Sequence, residues 1–165
     1  MYLRELKIED APLMLEWMHD KYVVKDLQTN FYSKTLEDCE VFIKNSYTSK
    51  NDIHMAIVDD DIYMGTVSLK QIDKTTKSAE FAITIRRIAM GKGYSKYAME
   101  KIIEFGFENL GLESIYWCVD LKNQRAQRFY DKNYYNRVDV STLTKLPLNY
   151  TEEQKCKYVW YLIKK

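Results

Sequence analysis

The chain is 165 residues long, 46% hydrophobic and 30% charged, with 25 Lys+Arg against 24 Asp+Glu. Five glycines and two prolines exclude collagen-like, Gly/Ser-linker and Pro-rich classes, which need those residues in bulk. The near-zero charge balance excludes recognition of nucleic acid or membrane by bulk charge, and no apolar run approaches the roughly 20 residues of a membrane span.

The length suits one domain over residues 1–165, able to bury roughly 70% of the surface its unfolded form exposes. Cys39, Cys118 and Cys156 are odd in number and far apart, and His19 and His54 are the only imidazoles. A zinc site is therefore not expected, and the thiols read as reduced in a cytoplasmic protein. Arg4, Glu5, Lys7, Glu9 and Asp10 interrupt the N-terminal segment, so it does not read as a signal peptide.

Tyr2 to Leu6 reads as a strand. Asp10 is a candidate N-cap, and Pro12 suits the first turn of a helix ending near His19–Asp20. Lys21 to Ser33 has no clean period. Thr35 to Tyr47 is the second helix. Ile53–Val58, Ile62–Ile72 and Ala79–Ile85 alternate around an Asp59–Asp61 turn and a polar Asp73–Ser78 turn, the pattern of a three-stranded antiparallel meander.

Tyr94 to Leu110 is the clearest helix. Ala98, Met99, Ile102, Ile103 and Gly106 fall on one face, with lysines and glutamates on the other. Gly111 ends it in the manner of a C-cap. Ser114–Val119 is a buried strand and Asn123–Lys132 a short helix. Tyr134–Val140 and Lys157–Ile163 are two more strands. The alternation of strand and helix predicts a parallel pair within a mixed sheet, with helices on both faces.

Chemistry concentrates where a strand feeds Arg86-Arg87-Ile88-Ala89-Met90-Gly91-Lys92-Gly93-Tyr94-Ser95. A helix start leaves backbone N–H groups unpaired and adds positive potential, and glycines let a ligand approach them. The combination suits a phosphate or pyrophosphate, with Arg86, Arg87 and Lys92 adding charge. Two nucleotide loops fail: Gly93 is followed by Tyr94-Ser95 instead of the Walker Lys-Ser/Thr, and Lys96 stands where a dinucleotide fingerprint needs glycine.

The Glu80–Ile85 strand, the Met90–Ser95 loop and the run Asn123-Gln124-Arg125-Ala126-Gln127-Arg128-Phe129-Tyr130-Asp131-Lys132 together resemble the GNAT family of acetyl-CoA-dependent N-acetyltransferases. Within it, the sequence looks most like the branch holding ribosomal-protein, spermidine and amino-sugar acetyltransferases. The resemblance implies an α/β (α+β) fold, a central mixed twisted sheet of six to seven strands flanked by about four helices.

It also implies roles. Met90, Gly91, Lys92, Gly93, Tyr94 and Ser95 form the pyrophosphate loop, although Met90 departs from the family's Arg/Gln and Ser95 from its Gly/Ala. Ile83, Thr84 and Ile85 pair with the pantetheine arm through their backbone. Asn123 and Arg128 add cofactor contacts. Tyr130 is the general acid and Glu80 the candidate base. Ala126 stands where many relatives carry Ser, and Tyr134-Tyr135 replaces a frequent Gly-Phe.

An amine attacks a thioester only when uncharged, and one of pKa about 10 is mostly protonated at pH 7, so a base assists. Each assignment has a plainer counterpart: Glu80 on the wet face of its strand, Tyr130 in the core, Asn123 as a helix N-cap. Cys118 reads as core and His54 as a sheet residue.

The acceptor wall is expected from Lys21–Ser33, with Asp26, Gln28, Asn30, Phe31 and Tyr32, and from Ser141–Cys156, with Tyr150, Glu152 and Glu153. The acceptor is a small-molecule or peptide amine, the resemblance calls for no metal, and a homodimer is a family-level expectation. The rival reading is a non-catalytic GNAT-fold module that binds CoA or a partner protein, motivated by Met90, Ser95 and Ala126.

Overall fold

The computed structural model describes residues 1–27 and 29–165. In chain order the strands are β1 (Tyr2–Glu5), β2 (Ile53–Asp59), β3 (Ile62–Asp73), β4 (Ser78–Ile85), β5 (Ser114–Asp120), β6 (Arg137–Val138) and β7 (Tyr158–Lys164). The helices are α1 (Ala11–Met18), α2 (Lys21–Val24), α3 (Leu36–Ser46), α4 (Tyr94–Glu108), α5 (Gln124–Lys132) and α6 (Glu152–Lys155). Two of the six, α2 and α6, are four-residue turns; the other four are the helices the sequence predicts.

The strands form one mixed sheet in the order β1-β2-β3-β4-β5-β7-β6. The expected meander is present: β2 pairs antiparallel with β3, and β3 with β4. Asp60 and Asp61 make the β2–β3 turn with positive φ of 47° and 59°, the double left-handed pair that suits a tight hairpin and that aspartate tolerates. β4 and β5 are the expected parallel pair, but they pair only at Ser78, Ala79 and Glu80. Beyond Glu80 the two strands part.

Side chains alternate across the sheet. On one face Ile57, Val67, Leu69, Ala79 and Phe81 pack under α4, against Ala98, Met99, Ile102 and Ile103. On the other, Ala56, Val58 and Tyr63 pack under α1 and α3, against Met14, Trp17, Cys39 and Ile43. The α4 face is the one the apolar spacing picks out; on α1 and α3 the buried side chains are Met14, Trp17, Met18, Cys39 and Ile43, while Leu36 and Val41 are exposed.

Some expected boundaries move. Asp10 makes no capping bond to α1; its carboxylate takes both Arg4 nitrogens at 2.7 and 2.8 Å and the Lys7 N–H at 2.8 Å. A charged pair outcompetes the cap. Lys21–Ser33, expected to be irregular, contains α2 and a single turn at Phe31–Ser33. The Tyr134–Val140 strand shrinks to two residues, because Tyr134 takes a left-handed φ of 63° and Val140 enters a helical turn.

Candidate active site

The parting of β4 from β5 makes a wedge. From Phe81 to Ile85, one edge of β4 has β3 as its partner and the other has no strand partner among the described residues. Two cavities fill the wedge. One, of about 260 Å³, lies against Ile83, Thr84 and Ile85 of β4, Met90 and Gly91 of the loop, Ser95 of α4, and Asn123, Ala126 and Tyr130. The other, of about 320 Å³, lies further up the wedge against Glu80, Trp117, Cys118, Asn123 and Tyr130.

The loop floor is built by backbone conformation. Gly91 and Gly93 hold φ of 76° and 88°, and a Cβ on either would meet nothing within 4 Å. Their requirement is the left-handed φ, not space. Gly93 is the N-cap of α4 and carries no side-chain cap, so the first amides of the helix remain open to a ligand. Of the expected loop contacts, Met90, Gly91 and Ser95 line the cavity, while Lys92 and Gly93 are exposed beside it. The Tyr94 ring turns into the core, its Oη donating to Asp59 Oδ2 at 2.8 Å.

The expected cluster of positive charge is smaller than the sequence suggests. Arg86 is buried, held by Glu16 at 3.0 and 2.8 Å and by the Tyr63 carbonyl at 3.0 Å. Its charge is neutralised away from the loop. Arg87 instead lies 4.9 Å from the Tyr22 ring centre, and Arg125 lies 5.0 Å from the same ring. Arg125 lines the lower cavity, whereas the expected Arg128 is exposed and lines neither cavity of the wedge. Helical phase explains the exchange: Asn123, Ala126 and Tyr130 face the wedge, and Arg128 falls on the far side.

Asn123 does two things at once. Its Oδ1 accepts the Ala126 N–H at 3.0 Å and caps α5, and the side chain lines both cavities. Tyr130 is 6% exposed and packed against Trp117, Phe129, Tyr135 and Tyr161 with ring centres 5.1–6.2 Å apart. Burial pushes its phenol pKa upward, so the hydroxyl stays protonated. The core and cavity roles of this residue coexist.

Glu80 approaches from the opposite face of the sheet. It is 4% exposed yet fully partnered. Tyr150 Oη donates to Oε1 at 2.8 Å, Lys70 Nζ lies 3.3 Å from the same oxygen, and Gln71 Nε2 donates to Oε2 at 3.0 Å. A bulge makes this possible. The β3–β4 register slips after Lys70, Gln71 takes φ of 52°, and its N–H is anchored on Asp52 at 2.9 Å. Lys70 and the next residue therefore both reach Glu80, which a regular strand would forbid. Tyr150 carries a pKa pushed upward, chiefly by burial.

Cys118 lines the upper cavity, but burial pushes its thiol pKa up to about 12, which leaves it a poor nucleophile. His54 Nδ1 is 2.7 Å from Ser68 Oγ. Among the expected acceptor residues, Asp26 and Phe31 line the upper cavity. Tyr32 stacks on His19 at 6.3 Å instead, and Glu152 and Glu153 pair with Lys155 and Lys157 at the surface. Gln28 lies outside the described residues. Sequence reasoning missed Lys70, Gln71 and Arg125; Tyr150 it found only as part of a polar loop. Among the described residues no three metal-ligating side chains gather.

A family model described as the acetyltransferase (GNAT) domain matches residues 1–134. The chain belongs to the GNAT acetyltransferase family. The acetyltransferase PseH of Campylobacter jejuni is 24% identical over 135 residues, 82% of each chain. A spermidine N(1)-acetyltransferase of Escherichia coli is 26% identical over 131 residues, 79% of this chain and 64% of that protein. The fold matches the spermidine N-acetyltransferase of Vibrio cholerae, solved in complex with CoA and spermine, with a TM-score of 0.78 at 17% identity over 99% of this chain and 94% of that one. The GNAT assignment makes the chain an acyltransferase and favours the enzymatic reading over a non-catalytic module.

Coenzyme A fits this wedge. The open amides at Gly91–Ser95 suit a pyrophosphate. The unpartnered edge of β4 suits an amide-bearing arm that needs strand-like bonds. Asn123 Nδ2, without a partner among the described residues, adds a donor between the two cavities.

Proposed function

We propose that the chain transfers the acetyl group of acetyl-CoA to a primary amine by direct attack. Acetyl-CoA supplies the activated acyl group as a thioester. The amides around Gly91 and Ser95 hold its pyrophosphate, the β4 edge from Ile83 to Ile85 aligns its arm, and Asn123 orients the arm at the turn into the upper cavity.

The acceptor enters from the upper cavity, where Asp26, Glu80 and Asp120 draw an ammonium group inward. Glu80 takes the proton that the amine must lose. Lys70, Gln71 and Tyr150 hold its two oxygens in place, which limits reorganisation during transfer. Tyr130 holds its proton across the working pH range and offers it to the departing sulfur. The burial that weakens Tyr130 as an acid also raises the proton affinity of a thiolate in the same cleft. Names of relatives support an amine acceptor: two of the matched proteins are spermidine acetyltransferases. Three unpaired cysteines suit the reducing cytoplasm.

The observation that carries this reading is the convergence of Glu80 and Tyr130, from opposite faces of the sheet, on one cavity. Thiol release should require both acetyl-CoA and an amine. Tyr130→Phe and Glu80→Gln should each lower kcat by about 10²-fold with little change in CoA affinity by calorimetry. A rate within threefold of wild type in either variant removes that residue from the chemistry.

A further inference from the structure

β2, β3 and β4 present one row of side chains toward α1 and α3. His54 faces Ser68, Ser68 faces Ala82, Thr66 faces Thr84, and Lys70 faces Glu80. The helices stand off from this row and leave a third cavity of about 430 Å³, a size typical of small-molecule sites. Met14, Trp17, Met18, Phe31, Val41 and Phe42 supply its apolar wall. Phe31, Lys70, Ala82, Ile83 and Thr84 line both this cavity and the upper cavity of the wedge, so the two meet along β4 beside Glu80.

Building on the proposed amine acetylation, we infer that this cavity receives the body of the acceptor, and that the acceptor is a monoamine bearing an apolar ring or chain with one hydrogen-bonding group at its far end. The charges of the two cavities differ: the upper one is acidic and the third is balanced. The upper cavity holds Asp26, Glu80 and Asp120 against Lys70, so an ammonium group is drawn there. Lys70 also lines the third, where it is paired with Glu80 at 3.3 Å, so the third is left with Lys34 against Asp38. Asp38 uses its Oδ2 in the α3 cap, accepting from Thr35 N–H at 2.9 Å and Thr35 Oγ1 at 3.1 Å, and Lys34 is close enough to offset its charge. A chain with several ammonium groups would find one carboxylate along this wall, offset by Lys34, and an apolar surface for the rest of its charges. An apolar body gains about 25 cal/mol for each Å² it buries there.

His54 provides the polar end. Its Nδ1 is committed to Ser68, its ring lies 4.7 Å from Phe42, and its Nε2 has no partner among the described residues. Burial holds its pKa below the usual imidazole value. A neutral imidazole at the floor of an apolar cavity recognises a hydroxyl or carbonyl without adding charge.

Tyramine, phenethylamine and spermidine serve as probes, assayed by thiol release with acetyl-CoA and by calorimetry against CoA-saturated protein. Tyramine should show kcat/KM at least tenfold above spermidine, with phenethylamine between them. Phe42→Glu should raise the tyramine KM at least tenfold while the CoA affinity, read on the same sample, stays within twofold. Val41→Lys, at the exposed rim of the cavity, should act in the same direction and stands in if Phe42→Glu does not fold.

Preference for spermidine over both monoamines, or a tyramine KM unmoved in the folded variants, overturns the inference and leaves amine acetylation intact. Tyramine that binds the CoA-loaded protein and is lost in Phe42→Glu, but is never acetylated, upholds the cavity assignment and overturns the reaction. Absence of both monoamine binding and monoamine turnover overturns the cavity assignment.

Discussion

At the scale of single residues, backbone strain and buried charge mark where the fold accepts a cost. Tyr134 holds φ of 63° and is 92% exposed. A left-handed conformation costs an L-residue about 1 kcal/mol or more, and an exposed ring returns little of it. The conformation itself is needed, because it turns the chain off α5, with the Tyr135 N–H bonded back to the Tyr130 carbonyl at 3.1 Å. That bond also steadies the helix end carrying Tyr130. Tyr134→Gly should therefore raise stability by about 0.5–1 kcal/mol, once the extra freedom of glycine in the unfolded chain is subtracted. The check is a urea midpoint that moves up with unchanged slope. An unchanged or lower midpoint would show that the exposed ring contributes packing after all.

At the scale of elements, the signals that proved legible in the sequence were local and periodic. Alternation gave β2, β3 and β4, and the i, i+3, i+4 face of α4 predicts the residues it buries. The Gly91–Gly93 spacing before that helix points to a candidate site because loop, helix start and glycine lie within a few residues of one another. What was illegible depends on contacts far apart in the chain. Arg86 looks like site charge until Glu16, 70 positions away, neutralises it. Tyr150 reaches Glu80 across the same separation. The bulge at Gln71 has no glycine to announce it. Arg125 and Arg128 differ only in helical phase against a neighbour that sequence alone does not supply.

The α4 start carries the element-scale prediction. Gly93→Ala leaves the space unchanged but places an L-residue at φ 88°, at a cost of about 1–2 kcal/mol. Relief of that strain would rotate the first amides of α4 away from the ligand. CoA affinity should fall about tenfold or more by calorimetry while the helix content stays native by circular dichroism. Wild-type affinity in Gly93→Ala would show that these amides do not hold the pyrophosphate.

At the scale of the whole molecule, the sheet is joined weakly at its centre. β1 to β4 form one half and β5, β7 and β6 the other, and three residue pairs link β4 to β5. Beyond Glu80 the halves are held by side chains around Trp117, whose ring centre lies 5.6 Å from Phe81 on one side of the wedge and 5.2 Å from Tyr130 on the other. A ligand lying in the wedge would bond the free edge of β4 and the start of α5 at once, so it would act as the missing link between halves. At a hundred times its Kd, a ligand specific to the native state adds about 2.7 kcal/mol, or about 5–10 °C in Tm for a chain of this size. CoA should produce that shift and should slow amide hydrogen exchange in residues 81–85 and in the first turn of α5 together. Protection confined to residues 90–95 would mean that CoA is held by the α4 start alone, and the bridging role of the wedge would fall.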